Sequence, residues 1–102
     1  MLGAEDREKV ETFLNTFFQV YPKASEEELS YYVKDQSVKP IHKQYELLSI
    51  DNLAIEKTDG QNYRVECYVS YMDNLLGAGM INQYQMKLTV QEDGALVVME
   101  MK

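Results

Sequence analysis

Few side chains in this sequence could carry chemistry, and each stands where a structural role accounts for it. His42 is the only histidine, and an unperturbed imidazole titrates near neutrality, as a general base should. It lies in "KPIHKQY", between lysines and with no serine or cysteine at a recognisable spacing, so it reads as an exposed histidine. Cys67, the only cysteine, sits between Val65 and Val69 on the apolar side of an alternating run. Reactive thiolates need positive neighbours, which that side lacks, so Cys67 reads as a small buried hydrophobe. Glu26, Glu27 and Glu28 are consecutive, and neighbouring helical carboxylates point in different directions and cannot converge on one cation. Asp51, Asp59, Asp73 and Asp93 each stand beside Asn, Gly or a strand end, which is turn chemistry. "GAG", Gly77 to Gly79, lies between strands with no helix after it and makes no phosphate cradle. The expectation is therefore no catalytic residue, no cofactor and no metal.

The bulk properties point the same way. A chain of 102 residues forms one domain, residues 1–102, able to bury a core without staples. Seventeen acidic against ten basic side chains give a net charge of -7. Binding a phosphate backbone requires clustered Lys and Arg, so direct nucleic-acid binding is not expected. The lone cysteine excludes an internal disulfide and a multi-cysteine metal site, and leaves the redox compartment open. No run approaches the roughly 20 apolar residues of a membrane helix, and no cleavable leader is evident. "MLGAEDREKVE" enters a helical pattern at once, which fits either a natural start or an excised domain whose residues 1–4 are a cloning remnant.

The elements that must position these residues are legible in the hydrophobic periods. Val10, Phe13, Leu14, Phe17, Phe18 and Tyr21 form a single helical stripe, with Glu5, Asp6 and Glu8 in the first turn and Pro22 as the stop. "SEEE" reads as a capping box in which Ser25 and Glu28 bond reciprocally, opening a shorter helix with Leu29, Tyr32 and Val33 inward and Tyr31 on its flank. Lys34 to Gln44, broken by Pro40, reads as a loop with one helical turn. After it the period becomes two. A strand starts near Tyr45, "TDGQ" turns, and Tyr63, Val65, Cys67, Val69 and Tyr71 alternate with Arg64, Glu66, Tyr68 and Ser70. "NLLGAG" reads as a looser connection to a strand with Met80, Tyr84, Met86, Leu88 and Val90 inward, and "EDG" turns into "ALVVMEM". Helices followed by a four-strand meander predict an α+β fold whose curved antiparallel sheet wraps the helices.

Eight tyrosines and no tryptophan direct attention to surfaces, because tyrosine combines apolar area with a hydroxyl. Tyr21, Tyr32, Tyr63, Tyr71 and Tyr84 fall on inferred core faces. Tyr31 and Tyr68 do not. Tyr68 with Arg64, Gln83, Gln85 and Thr89 makes a candidate partner-binding sheet face, as plausible as an ordinary solvated one, with Tyr31 a further candidate contact.

"FLNTFFQVYPKASEEELSYYVKD", "YELLSIDNLAI" and "VECYVSYMDNLLGAGMINQYQMKLTV" together resemble the carboxy-terminal domain of TcpC-like conjugative transposon proteins, VirB-type assembly factors of type IV secretion with an NTF2-like fold. The resemblance covers roughly Val10 to Val90 and rests on aromatics and turns. It implies helices packed into a bent antiparallel sheet, and a scaffold that self-associates as a homo-oligomer and contacts other proteins of the transfer apparatus. It also implies placement outside the cytoplasmic membrane of Gram-positive bacteria by an upstream transmembrane helix, absent here, so that the chain is expected to be an excised part of a longer anchored protein. The resemblance supplies no catalytic residues.

The same fold also carries the alternative of a small-molecule-binding protein or a small isomerase- or dehydratase-type enzyme using the cone cavity. Such an enzyme needs an inward Asp or His with a Tyr donor. The inward positions predicted here are Phe, Tyr, Val, Leu, Met and Cys, which favours the scaffold.

Overall fold

Val10, Leu14, Phe17 and Phe18 form the fully buried face of helix α1 (Ala4–Val20). The computed structural model describes residues 2–102. Phe13 is half-buried on the flank of that stripe, and Tyr21 closes the helix as its C-cap. The Phe17 ring stacks on Tyr21 with centroids 5.4 Å apart and on Phe13 at 6.0 Å, both within the favourable range for aromatic pairs. Pro22 ends the helix because it has no N–H to give. The carbonyl four residues before it, that of Phe18, is thereby left without a helical donor. A buried strand residue supplies one: the Tyr71 hydroxyl donates to the Phe18 carbonyl at 2.7 Å.

The reciprocal capping box of Ser25 and Glu28 is present, and opens the one-turn helix α2 (Glu26–Leu29). Tyr32 and Val33 lie beyond its end. They run beside the last strand instead of continuing the helix.

Four strands follow: β1 (Tyr45–Lys57), β2 (Asn62–Asp73), β3 (Ala78–Val90) and β4 (Leu96–Met101). They form one antiparallel meander in the order β1-β2-β3-β4. The predicted alternation holds along β2, where Tyr63, Val65, Cys67, Val69 and Tyr71 are buried, and Met86 and Leu88 of β3 lie on the same face. This inner face packs against α1 in one core that also takes in Leu29, Val33, Val38, Leu96 and Val98.

Three further details differ from the sequence-based expectations. Lys34 to Gln44 contains no helical turn. Asp35 and Gln36 both adopt left-handed backbone, with φ of 53° and 55°, and the N–H of Ser37 donates to the Lys34 carbonyl at 3.0 Å. Two successive left-handed residues bend the chain with the hand opposite to an α-helix. That bend carries the chain past β4, where Val98 donates its N–H to the Tyr32 carbonyl at 2.7 Å and accepts from Lys34 at 2.9 Å. The outer margin of β4 is thus covered at that point.

The β2–β3 connection is also tighter than "NLLGAG" suggested. Asp73 pairs with Ala78, the Gly77 N–H donates to the Asp73 carbonyl at 2.7 Å, and Gly77 takes φ of 69°. Its left-handed backbone suits glycine. Finally, β1 is interrupted by register shifts between Leu47 and Ser49 and between Asp51 and Ala54, with Asn52 at φ 52° in the second.

Candidate interaction surface

The face of the sheet turned away from α1 gathers most of the predicted contact residues. Antiparallel register places Tyr68 opposite Gln83, Glu66 opposite Gln85 and Arg64 opposite Lys87. Tyr68, Arg64, Gln83 and Gln85 are all exposed, with Tyr68 38% accessible. Thr89, from the same prediction, is half-buried, and its hydroxyl donates to the Gln61 carbonyl at 3.3 Å. Tyr31 lies elsewhere. It follows α2 and is 74% exposed, next to the segment that covers β4, so two strands separate it from β2.

The outer face is divided by chemistry along its length. Towards the β1–β2 turn it is a charged ladder: Arg64 to Glu56 at 3.3 Å, and Glu100 to both Lys87 and Lys102 at 3.4 Å. The Lys102 and Lys87 ammonium groups hold the Glu100 carboxyl below its ordinary range. These exposed pairs add little stability, but they satisfy one another and leave no single-sign field. A hollow of about 80 Å³ among Arg64, Glu66, Gln85, Lys87 and Lys102 has room for roughly two or three waters. Towards the β2–β3 turn the face becomes partly apolar, with Leu48 54% and Ile81 69% exposed beside Tyr68, and it keeps two exposed carboxylates, Asp51 opposite Tyr68 and Glu46 opposite Met72. Ile81 and Leu48 were missed as contact candidates. Leu48 was hidden because it sits at a bulge of β1, whereas Ile81 follows from strand parity with Gln83 and Gln85.

The inner face has a different character. Among the described residues the polar groups on buried side chains are the hydroxyls of Tyr21, Tyr63 and Tyr71 and the thiol of Cys67, none of them a carboxylate or imidazole, and no three His, Cys, Asp or Glu side chains are grouped as metal ligands would be. His42 is exposed and outside the core, with φ of 50°. Cys67 is buried, and burial pushes its thiol up to about 11, which removes the thiolate needed for reactivity. Three of the four aspartates act in turns: Asp59 accepts from the N–H groups of Gln61 and Asn62, Asp73 from those of Leu75 and Leu76, and Asp93 from that of Ala95. Asp51, expected to do the same, lies instead within β1 opposite Tyr68 and accepts from the Ser49 hydroxyl at 2.7 Å.

One acid–tyrosine pair was not anticipated. The Tyr63 hydroxyl donates to Asp6 Oδ1, and Lys57 Nζ stands 3.4 Å from the same oxygen. The phenol beside Asp6, with help from Lys57, holds the carboxyl below its usual range, while the carboxylate raises Tyr63 to about 12. A carboxylate so stabilised is a weaker base and a phenol so raised is a weaker acid, so the pair is a strut tying the start of α1 to β2.

Residues 1–98 match the family model of the conjugative transposon protein TcpC. The chain belongs to this family. Among curated proteins none matches. A solved structure of an NTF2-like protein involved in plasmid conjugation superposes with a TM-score of 0.88 at 16% identity, covering 100% of this chain and 40% of that one. At that identity the likeness establishes the fold, which is NTF2-like: the α1 stripe fills a curled four-strand sheet, as the aromatic pattern and meander implied. The TcpC-family chain described here thus spans under half the length of that conjugation protein. No helix among its described residues is long and apolar enough to cross a membrane.

Proposed function

We propose that this TcpC-family domain is a non-enzymatic assembly module of a conjugative DNA-transfer apparatus of the type IV secretion kind. It works through protein contacts, including self-association, made by the outer face of its sheet. The observation that carries this reading is the band of Leu48, Tyr68 and Ile81, exposed on a face whose surroundings carry Asp51, Glu46 and the Arg64–Glu56 and Lys87–Glu100 pairs. An apolar centre rimmed by charged and amide groups is the anatomy of a protein interface. Gln83 and Gln85 supply hydrogen-bonding capacity within it.

In this reading the domain stands on the extracytoplasmic side of the membrane, held by a helix elsewhere in a longer protein, and meets other transfer proteins there. The net charge of -7 suits a scaffold better than the lining of a DNA channel. The experiment is sedimentation of the domain over a concentration series, together with capture of transfer proteins, for wild type, Tyr68→Ala and Arg64→Glu. Weakened association with an unchanged melting temperature supports the outer face. Unchanged association in both variants removes it.

A further inference from the structure

On the side away from β2, the hydrogen bonds of β3 stop halfway along it. β4 pairs with β3 from Val90 back to Met86, and Lys102 then exchanges both backbone bonds with Gln85, donating to its carbonyl at 2.9 Å and accepting from its N–H at 3.1 Å. The register of β3 with β2 is unbroken from Thr89 opposite Asn62 to Ala78 opposite Asp73, so backbone direction alternates strictly along the strand. Gln85 points its N–H and carbonyl away from β2, and Gly79, Ile81 and Gln83 therefore do the same. Among the described residues nothing pairs with these groups on that side, and all three residues are exposed.

Such a margin is normally guarded by lysine, proline or a bulge. Ala78 to Tyr84, "AGMINQY", has none of them: it is uncharged in a chain of net charge -7, and no register shift interrupts it. Gly79 is a second sign. It does not take left-handed backbone, and a Cβ there would meet only the Tyr71 carbonyl oxygen, at an ordinary 3.9 Å. Nothing inside the domain asks for glycine at this place, and a glycine within a strand often marks the close approach of another backbone.

We propose that Ala78 to Tyr84 pairs antiparallel with the same segment of a second copy, Gly79 lying opposite Ile81 of the second copy and Ile81 opposite its Gly79. A two-fold rotation about Met80 brings the outward donors of each copy to the acceptors of the other. The seam is apolar on both faces. On the outer face each Ile81, 69% exposed in the single domain, crosses the bare Gly79 of the other copy towards Met72, which neighbours that glycine on β2. On the inner face the two half-buried Met80 side chains meet. This register leaves Lys102 clear, because the strand of the second copy ends before Gln85 is reached. A second copy suits the margin better than a foreign strand does: it supplies the matched pattern by symmetry, and two acidic domains can join at an uncharged segment without adding like-charge pairs. The proposal rests on the reading of the domain as a self-associating module, and adds a join at the sheet edge to the contact on the outer face.

Amide exchange followed by NMR reads the pairing directly. At concentrations where sedimentation shows paired domains, the Gly79 and Ile81 amides should exchange about tenfold more slowly than in dilute solution, while those of Met80 and Asn82, already bonded to β2, are slow in both. Ile81→Pro removes an N–H that β2 does not use, and should abolish pairing with the β2–β3 ladder intact. Tyr68→Ala should leave the slow exchange in place. A monomer at every concentration, or paired domains whose Gly79 and Ile81 amides still exchange freely, overturns the proposal; in the second case, loss of pairing in Tyr68→Ala would leave the outer-face contact standing. Protection that appears only when another transfer protein is added gives the margin to a foreign strand and overturns self-pairing.

Discussion

Tyr71 completes the end of helix α1 from the sheet: its hydroxyl donates at 2.7 Å to the carbonyl of Phe18, the acceptor that Pro22 leaves without a helical donor. Both residues are buried, so water has poor access to replace the bond. Burial also raises the Tyr71 phenol well above its ordinary range, keeping the donor protonated.

Tyr71→Phe retains the ring, which lies 5.7 Å from that of Tyr45, and removes only the donor. The expected cost is about 1 to 3 kcal/mol, that of leaving a buried carbonyl unsatisfied. Urea unfolding measures it. A variant as stable as wild type would show that the carbonyl finds another donor.

Phe17 is fully buried and meets Phe13, Phe18, Tyr21 and Tyr32 within 6.4 Å between ring centroids. Phe17→Ala should cost about 3 to 5 kcal/mol through lost burial and the cavity left behind. Calorimetry should show a melting temperature several degrees lower, and an intact one would contradict the packing of α1.

At acid pH the Asp6 strut should weaken. Its folded pKa lies below the ordinary carboxyl value of 3.8, so its contribution is present above that value and lost as pH falls through the folded pKa. Asp59, held down by the Gln61 N–H and the Asn62 side chain, acts in the same direction. Asp6→Asn should flatten the acid limb of a stability–pH curve, and also shrink the share of the alkaline limb that Tyr63 contributes, because the carboxylate that raises that phenol is gone. An acid limb of wild-type slope would exclude the strut.

The alkaline limb has the opposite sign. Tyr63 is raised to about 12 by its bond to Asp6, and Tyr84 to about 12 chiefly by burial. Groups raised on folding stabilise fully below their unfolded value, near 10, and lose that contribution as pH rises towards 12. Tyrosinate absorbance should therefore rise steeply together with loss of circular dichroism. Ionisation of these phenols well before unfolding would mean that the inner face is wetter than the packing shows.

Much of this was legible from local periods. The stripe of α1 and the alternation of β2 read correctly because one buried face imposes a period of 3.6 or 2 on the chain. The Ser25–Glu28 box read correctly because both partners lie within one turn. The contacts that were missed join distant positions: Asp6 with Tyr63, Phe18 with Tyr71, and Tyr32 and Lys34 with Val98. The outer-face candidates were visible in part. Arg64, Tyr68, Gln83 and Gln85 follow from strand parity, whereas Leu48 depends on a bulge that no alternation announces. Tyr31 was grouped with them by composition, and the path of the chain around β4 separates it.

The cover laid over β4 by Tyr32 and Lys34 also bears on how copies of this domain can accumulate. Val98 has spent its outward backbone groups on that segment, and the far margin of the sheet is broken twice along β1. β1 thus offers no long flat template for strand addition, which is how sheets grow into fibrils, and β4 is blocked at Val98. The margin left open is that of β3 from Ala78 to Tyr84, which β4 does not reach, so copies crowded at one place that add strands should do so there.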